Sequence, residues 1–349
     1  MQRDVQQTLA EELRRLLPEH AVINCRWLWR SWREFLGAFR RIGGVIEAAP
    51  LHIASSPSVN LCVEPDGAVS VRSAHEQIFS SPFTFVGAAF PQTAVPFAAL
   101  REAALSIGRT AYERGLIGHM GVDFVSFIDS QGQLRLWAVD LNLRLTHTAV
   151  TFSFFDFLVG GAFDSATGRY HTQPEGGPPQ PRAYVMNEML YHKQLGAIHH
   201  SAFFNLCRLK GVSFDLQERT GTVFNLMDSF IGCVLGIQTV GTSLLDALRK
   251  FADCLDFMQK QVGPATGGKP TALTHETSFR DVIKAIKAIV DVHVGGAQPP
   301  PAPAPLPPPL PKEELELQTE DPLVPGISGT AILPKPDKYY LKSGGAEGE

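Results

Sequence analysis

The stretch from His119 to Arg144 constrains the fold of this chain more than any other part of the sequence. It contains two runs with the residue types and alternation of β-strands, His119–Ile128 and Leu134–Leu143. Residues 129–132, Asp-Ser-Gln-Gly, lie between the runs and favour a tight turn. We therefore predict an antiparallel hairpin, in which the numbers of opposed residues have a constant sum.

The predicted register brings two acidic side chains together. Pairing Asp129 with Leu134 sets Asp123 opposite Asp140, and alternation puts Asn142 on the same face as Asp140. The opposite face should carry three apolar residues, Trp137, Val139 and Leu141. Four other apolar residues fall on the acids' face, which we therefore expect to be largely covered: Val125, Phe127, Leu136 and Ala138.

Two interpretations of the opposed acids are open. One is a solvated face with a slack register, since like charges directly opposite destabilise a strand pair. A slip of one residue would then separate the acids. The other is a metal site, because two carboxylates and an amide oxygen suit a hard divalent cation such as Mg²⁺. Expected burial of the face favours the metal site, since a buried acid pair without a partner is costly.

Composition excludes several functional classes. Residues 312–349 hold eight acids and four lysines, so the net charge of −4 belongs to that segment and the remainder is close to neutral. No nucleic-acid partner is expected. Five widely spaced cysteines without a CxxC pair indicate reduced thiols. The start lacks a signal peptide and the apolar runs are short, so we expect a cytoplasmic protein without a membrane partner.

The rest of the chain alternates predicted helices and short strands. The first helix should stop at Pro18, and Val45–Ala48 should form a short strand carrying Glu47. A second hairpin, Val59–Glu64 with Ala68–Ser73, is followed directly by His75, Glu76 and Gln77. Apolar periodicity predicts four later helices: Phe97–Arg114, Thr146–Gly161, Ser243–Gln261 and Ser278–Val292.

Composition changes near the end of the chain. Residues 299–311 (PPPAPAPLPPPLP) should form polyproline II, a stiff spacer or a ligand for an SH3, WW or profilin-type partner. Residues 312–349 are acidic and poor in large apolar groups, so we expect disorder.

Several motifs occur in order along the chain: GGVIEA at 43–48, PSVNLCVEPDGAVSVRSAHEQ at 57–77, GVDF at 121–124, VDLNLR at 139–144, GGAFDSATGRYHT at 160–172 and TGTVFNLM at 220–227. With an acid in one strand of the central hairpin and Asp-x-Asn in the next, they resemble the peptide-ligase-like branch of the ATP-grasp superfamily. In character they are most similar to the C-terminal ATP-grasp-like domain of the IQ-motif-containing protein H family, over about residues 5–262.

The resemblance implies ATP and Mg²⁺ as cofactors. By position, Mg²⁺ would be held between nucleotide phosphates by Asp123, Asp140 and Asn142. Arg144 would be the catalytic residue, facing a phosphate or an acyl phosphate. The implied chemistry is activation of a carboxylate by ATP, followed by attack of an amine or another nucleophile.

The resemblance also implies a nucleotide site. Glu47 would lie at the hinge that contacts adenine or ribose, and the residues after the earlier hairpin would line the site: His75, Glu76 and Gln77.

The sequence departs from the family pattern in four respects. The first 46 residues contain no lysine and no glycine-rich phosphate loop, so we expect the N-terminal part of the fold to be missing. A GGTTHP segment is replaced by LTHTAVT at 145–151, where His147 is out of register. Asp140 replaces the usual Glu. No IQxxxRGxxxR-like segment occurs, so no calmodulin-binding IQ motif is expected in this chain.

We predict an α+β fold, an ATP-grasp-like antiparallel sheet with packed helices followed by a disordered proline-rich tail. The expected divisions are a partial ATP-grasp-like domain at 1–262, a linker and amphipathic helix at 263–295, polyproline at 296–311 and an acidic tail at 312–349. The leading hypothesis is a degenerate nucleotide- and Mg²⁺-binding domain acting as a scaffold or regulatory module. The alternatives are an active ATP-dependent carboxylate–amine ligase and an interaction module acting through the proline tract.

Overall fold

A computed structural model describes most of the first 294 residues: 2–23, 28–47, 49–50, 53–81, 83–129, 131–173, 177–192, 195–226, 233–262 and 278–294. Of the predicted linker and amphipathic helix at 263–295, residues 263–277 and 295 lie outside the described residues, as do the polyproline segment and the acidic tail.

The described residues form an α+β fold, as predicted. The helices are α1 (Gln2–His20), α2 (Trp32–Ile42), α3 (Phe97–Glu113), α4 (His147–Val159), α5 (His200–Lys210), α6 (Leu244–Val262) and α7 (Phe279–Val294). The strands are β1 (Ile53–Ser55), β2 (Pro57–Val63), β3 (Val69–Ser81), β4 (Thr84–Phe90), β5 (Gly118–Ile128), β6 (Leu134–Asn142), β7 (Ala162–Asp164), β8 (Arg169–Thr172), β9 (Gln180–Pro181), β10 (Ala183–Tyr191), β11 (Gly221–Leu226) and β12 (Val234–Gly241).

Nine strands form one antiparallel sheet in the order β1-β5-β2-β3-β4-β10-β12-β11, with β6 paired to β5. Asp123 of β5 pairs with Ser58 of β2 and with Asp140 of β6, so β2 and β6 flank β5 on opposite edges. The remaining strands, β7, β8 and β9, form a small separate sheet.

Helices cover both faces of the large sheet. Alternation along β10 shows the division: Tyr184 and Met186 pack in a cluster with Phe155 of α4, whereas Val185 packs in a cluster with Phe251 of α6. That second cluster also contains residues of α5 and α7. Under β2, β3 and β5 the same face packs against α3. The site therefore belongs to the face that α4 partly covers.

Helical periodicity predicted the later helices well, and the boundaries of α3, α4, α6 and α7 agree with it. Thr146 caps α4 by accepting a hydrogen bond from the Ala149 N–H, and Gly160 ends the helix in the left-handed conformation. None of the helices in the described part of the chain is long and apolar enough to cross a membrane.

Three local predictions were wrong. Helix α1 continues past Pro18 to His20, with the proline inside its last turn. Residues 45–47 are exposed and pair with no strand among those described, so the apolar run there lacks the partner that a strand needs. Strand β3 runs to Ser81, since β4 pairs with its second half.

Helix α4 offers a matched test of the packing on the site's face. Phe155 is fully buried, whereas Phe157 on the same helix is 82% exposed. Phe155→Ala should lower the free energy of unfolding by about 3–5 kcal/mol, because it removes a large apolar group and leaves a cavity.

Urea unfolding followed by circular dichroism measures this change. Phe157→Ala is the control and should stay within about 0.5 kcal/mol of the parent protein. Equal losses in the two variants would contradict the packing of α4 on the sheet.

Candidate functional site

The central hairpin holds the two acids in the predicted register. Asp123 of β5 pairs directly with Asp140 of β6, and Asn142 pairs with Gly121 one step along the same face. The prediction of opposed acids is confirmed. At the turn, however, Leu134 pairs with Ile128 and not with Asp129. The predicted register was therefore wrong by one residue at the turn and correct at the acids.

A β-bulge reconciles these two observations. Asp123 pairs with Asp140 but Phe124 pairs with Ala138, so Val139 is the extra residue on β6. Beyond the bulge the faces are exchanged: Trp137 pairs with Val125 on the acids' face. The predicted placement of Trp137 was wrong, because a bulge cannot be inferred from alternation alone.

Because of the same bulge, the apolar side chains of β6 that we expected to cover the acids do not cover them. Leu136 pairs with Ser126 and packs with the α3 cluster on the other face, and Ala138 pairs with Phe124. On β6 the residues from Trp137 to Leu141 are exposed, so the acids' face is open at β6 and only partly covered at β5.

A short polar network joins the candidate metal ligands to Arg144. The Asn142 amide donates to Asp140 Oδ2 at 2.9 Å and to Asp123 Oδ2 at 3.3 Å. Its carbonyl oxygen accepts from the Arg144 guanidinium at 3.0 Å. The amide hydrogens of Asn142 thus partly neutralise the two carboxylates. They lie between the carboxylates, where a cation would also lie.

Asp123 is the more buried of the two acids. Burial raises the pKa of Asp123, the Asp140 carboxylate raises it further, and hydrogen bonds from Ser58 and Asn142 oppose the shift, as does the Arg144 charge. A raised pKa means that the charged carboxylate is costly in this position. A bound cation would relieve that cost.

The acids and Arg144 line an open cleft with residues from other elements. Gln77 of β3, Ser58 of β2 and Thr146 and His147 at the start of α4 line it, as does Glu188 of β10. The His147 Nδ1 and Glu188 Oε1 atoms are 2.6 Å apart. Of the residues predicted to line a nucleotide site, the structure brings Gln77 together with the candidate metal ligands.

His75 lies beside the cleft but does not reach it. It pairs with Ser58 in the β2–β3 ladder, is fully buried, and its Nε2 is 2.6 Å from the Tyr184 hydroxyl. Burial lowers the pKa of His75 to about 3, so the ring is neutral. Phe90 and Phe152 surround it.

Glu76 points to the opposite face from His75 and Gln77, because side chains alternate along β3. Its carboxylate accepts a hydrogen bond from the Ser56 N–H at 2.8 Å. Burial raises the pKa of Glu76 to about 7, against hydrogen bonds from Ser56 and Gln92 that lower it.

Glu47 lies apart from these residues. It is exposed in a segment without regular secondary structure between α2 and β1, and it does not line the cleft.

Sequence reasoning missed the contributions of Ser58, Thr146 and Glu188. Only strand pairing brings Ser58 next to Asp123, and no local pattern distinguishes it. Thr146 has the signal of a helix N-cap, which predicts a helix start but not a site. Glu188 is one acid in an apolar strand, a signal that could have singled it out.

The chemistry of the donor set suits a hard cation although it contains few acids. Among the described residues, no group of three or more His, Cys, Asp or Glu side chains could hold a metal ion. The candidate set is two carboxylates and one amide, and Mg²⁺ commonly binds one or two carboxylates and completes its shell with water and phosphate.

Residues 1–166 match the family model described as "IQCH-like, ATP-grasp". IQ motif-containing protein H of Danio rerio is 28% identical over 287 residues, which are 81% of this chain and 26% of that protein. This chain thus spans about a quarter of the length of that relative.

Two further proteins are similar to the chain. L-propargylglycine–L-glutamate ligase of Streptantibioticus cattleyicolor is 25% identical over 57% of this chain and 39% of its own length. The biotin carboxylase domain of the 2-oxoglutarate carboxylase of Hydrogenobacter thermophilus, solved with MgADP, ADP and bicarbonate, aligns with a TM-score of 0.44. It is 11% identical and the alignment covers 73% of this chain and 54% of that one.

Because the pKa of Glu76 is raised, we predict that the stability of the protein depends on pH. The folded-state pKa is about 7 and the ordinary value is 4.5, so between these values the folded protein binds more protons than the unfolded chain. The free energy of unfolding should therefore fall as the pH rises through this window. Glu76→Gln should remove that fall and be more stable than the parent at about pH 8 by about 2 kcal/mol.

Urea unfolding at about pH 5 and about pH 8 tests this prediction. Glu113→Gln, at an exposed acid of α3, is the control and should follow the parent at both values. If Glu76→Gln keeps the pH dependence of the parent, Glu76 does not titrate with a raised pKa.

Proposed function

We propose that this chain is a nucleotide- and Mg²⁺-binding ATP-grasp domain that acts as a scaffold or regulatory module. The observation that carries the proposal is the pairing of Asp123 with Asp140 in a cleft that Asn142 and Arg144 also line. Asp123, Asp140 and the amide oxygen of Asn142 would hold Mg²⁺. Arg144 would neutralise a phosphate, a role that guanidinium geometry suits.

The residues present fit such a cation. The opposed carboxylates repel each other, and Asn142 already presents its amide to both of them. A half-turn of that amide would direct its oxygen to the same point and would release the Arg144 guanidinium, which that oxygen binds in this structure. When bound, Mg²⁺ supplies charge neutralisation between the carboxylates and nucleotide phosphates. Gln77, on the same cleft, offers hydrogen bonds to the bound nucleotide.

The sequence supports a binding role over rapid turnover. No lysine occurs among residues 1–192, so within that part of the chain the positive charge beside the acids comes from arginine. Phosphoryl transfer depends on several preorganised donors around the transferring group. A site with Arg144 as its cation has fewer of these donors than a lysine- and glycine-loop site.

A second candidate function is an ATP-dependent carboxylate–amine ligase. The similarity to L-propargylglycine–L-glutamate ligase favours it, as does the presence of His147 and Glu188 in the cleft. Residues 299–311 as a ligand for an SH3, WW or profilin-type partner stay a prediction from the sequence.

The metal site can be tested by calorimetry. Isothermal titration with Mg²⁺ or Mn²⁺ should show binding that Asp123→Ala and Asp140→Ala each weaken at least about tenfold, or about 1.4 kcal/mol. Each substitution removes one of the charged ligands. Glu102→Ala, at an exposed acid of α3, is the matched control and should bind like the parent. Unchanged affinity in both aspartate variants would refute the metal site.

Turnover separates the two candidate functions. An ADP-release assay with Mg²⁺, amino acids and small carboxylates should give less than about 0.1 s⁻¹, against an enzyme median of about 10 s⁻¹. Removing one preorganised donor from such a site commonly costs roughly 10²–10³ in rate. Faster turnover that Asp140→Ala abolished would establish the ligase function in place of the scaffold.

A further inference from the structure

A buried asparagine lies beneath the start of α4. Asn60 of β2 is 2% exposed and faces the same side of the sheet as Ser58, two residues before it, but it does not line the cleft. Its amide nitrogen donates to the hydroxyls of Ser73 at 3.0 Å and of Thr148 at 3.1 Å. Its oxygen accepts from the Thr146 hydroxyl at 2.6 Å. One side chain of β2 thus joins β3 to the first residues of α4.

Asn60 and the two threonines form a closed ring of hydrogen bonds. An amide oxygen only accepts, so the Thr146 hydroxyl proton points to Asn60. In the 3.0 Å contact between the two threonine hydroxyls, Thr148 is therefore the donor. Thr148 in turn accepts from the Asn60 amide, which closes the ring. Hydrogen bonds in such a chain polarise and strengthen one another, and burial makes an unmade one costly.

The sheet leaves room for Thr146 to approach it. Gly121 of β5 pairs with Asn60 on one edge and with Asn142 on the other. A Cβ atom on Gly121 would lie 2.5 Å from the Thr146 methyl carbon, which is closer than two such carbons approach. The glycine therefore allows the close contact that brings the Thr146 hydroxyl within reach of Asn60.

The ring lies two residues from Arg144 along the chain. Arg144 stands in the middle of the segment that joins β6 to α4. The apolar residues beside it, Leu143 and Leu145, are 54% and 53% exposed, so apolar burial contributes little to holding this segment. The segment is held at its ends, where Asn142 pairs with β5 and Thr146 belongs to the ring. These two anchors limit the positions that the Arg144 backbone can adopt.

We infer that Asn60, through its ring with Thr146 and Thr148, is a positioning residue for Arg144. The ring fixes the segment so that the guanidinium already faces the cleft before a phosphate binds, and less conformational freedom is then lost on binding. The inference rests on the proposed function, because it concerns Arg144 as the group that contacts a phosphate. Asn60 itself is buried and acts through the ring.

Two substitutions at one position test the ring. Thr148→Val keeps the shape of the side chain and breaks the ring, whereas Thr148→Ser keeps the hydroxyl. In calorimetric titration with ADP at saturating Mg²⁺, Thr148→Val should bind at least about tenfold more weakly than the parent, and Thr148→Ser within about twofold of it. A role in packing alone would reverse this order, since serine lacks the methyl group that valine keeps.

A double-mutant cycle with Arg144→Ala shows whether the ring acts through Arg144. Arg144→Ala alone should weaken ADP binding at least about tenfold, because it removes the phosphate contact. Adding Thr148→Val should then weaken binding by less than about a further twofold, since the residue that the ring positions is gone. Two independent losses that multiply to about a hundredfold would contradict the inference.

Mg²⁺ titration and Ser73→Ala are the controls. Thr148→Val should bind Mg²⁺ within about twofold of the parent, since the β5–β6 ladder holds Asp123 and Asp140. Ser73→Ala removes the one side-chain hydrogen bond of Asn60 outside the ring and should bind ADP like the parent. Loss of Mg²⁺ binding or parent-like ADP binding in Thr148→Val, or an equal loss of ADP binding in Ser73→Ala, would overturn the inference alone. Absence of ADP binding by the parent would overturn the proposed function and the inference with it.

Discussion

The pairing of β5 with strands on both of its edges is the constraint on which the candidate site depends. Asp123 stands beside Ser58 of β2 and beside Asp140 of β6. Residues far apart in sequence become neighbours only through this register. A shift of one residue on either edge would separate Asp123 from its partner on that edge and would break up the candidate site.

The row of residues that contains Asp140, Asp123 and Ser58 continues across the sheet, where it leads from the polar cleft into a buried aromatic cluster. Beyond Ser58 it reaches His75, which contacts Phe90 and Tyr184 in a fully buried aromatic cluster. Helix α4 covers this second half, and its first residues stand at the cleft. The buried half supplies the packing that holds the strands, and the open half leaves the carboxylates accessible to a ligand. The row therefore belongs both to the structural core and to the candidate site.

Opposed acids have an energetic cost that other groups offset. Like charges facing each other destabilise a strand pair, and partial burial of Asp123 adds to this. Hydrogen bonds from Asn142 reduce the repulsion, and Phe124 directly after the acid packs into the core on the other face. Binding sites often contain groups that lower the local stability of the fold, because function and stability often conflict.

The sequence by itself determined the elements whose physics is local. Alternation and the turn residues gave the central hairpin, apolar periodicity gave α3, α4, α6 and α7, and the opposed acids followed from the hairpin. Tertiary structure alone decided the rest. The bulge at Val139 moved Trp137 to the acids' face, strand pairing placed Ser58 beside Asp123, and a distant strand supplied Glu188. Such features depend on which strands pair and on where a strand contains a β-bulge. Both depend on packing between elements that are distant in sequence, and a local sequence pattern does not contain that information.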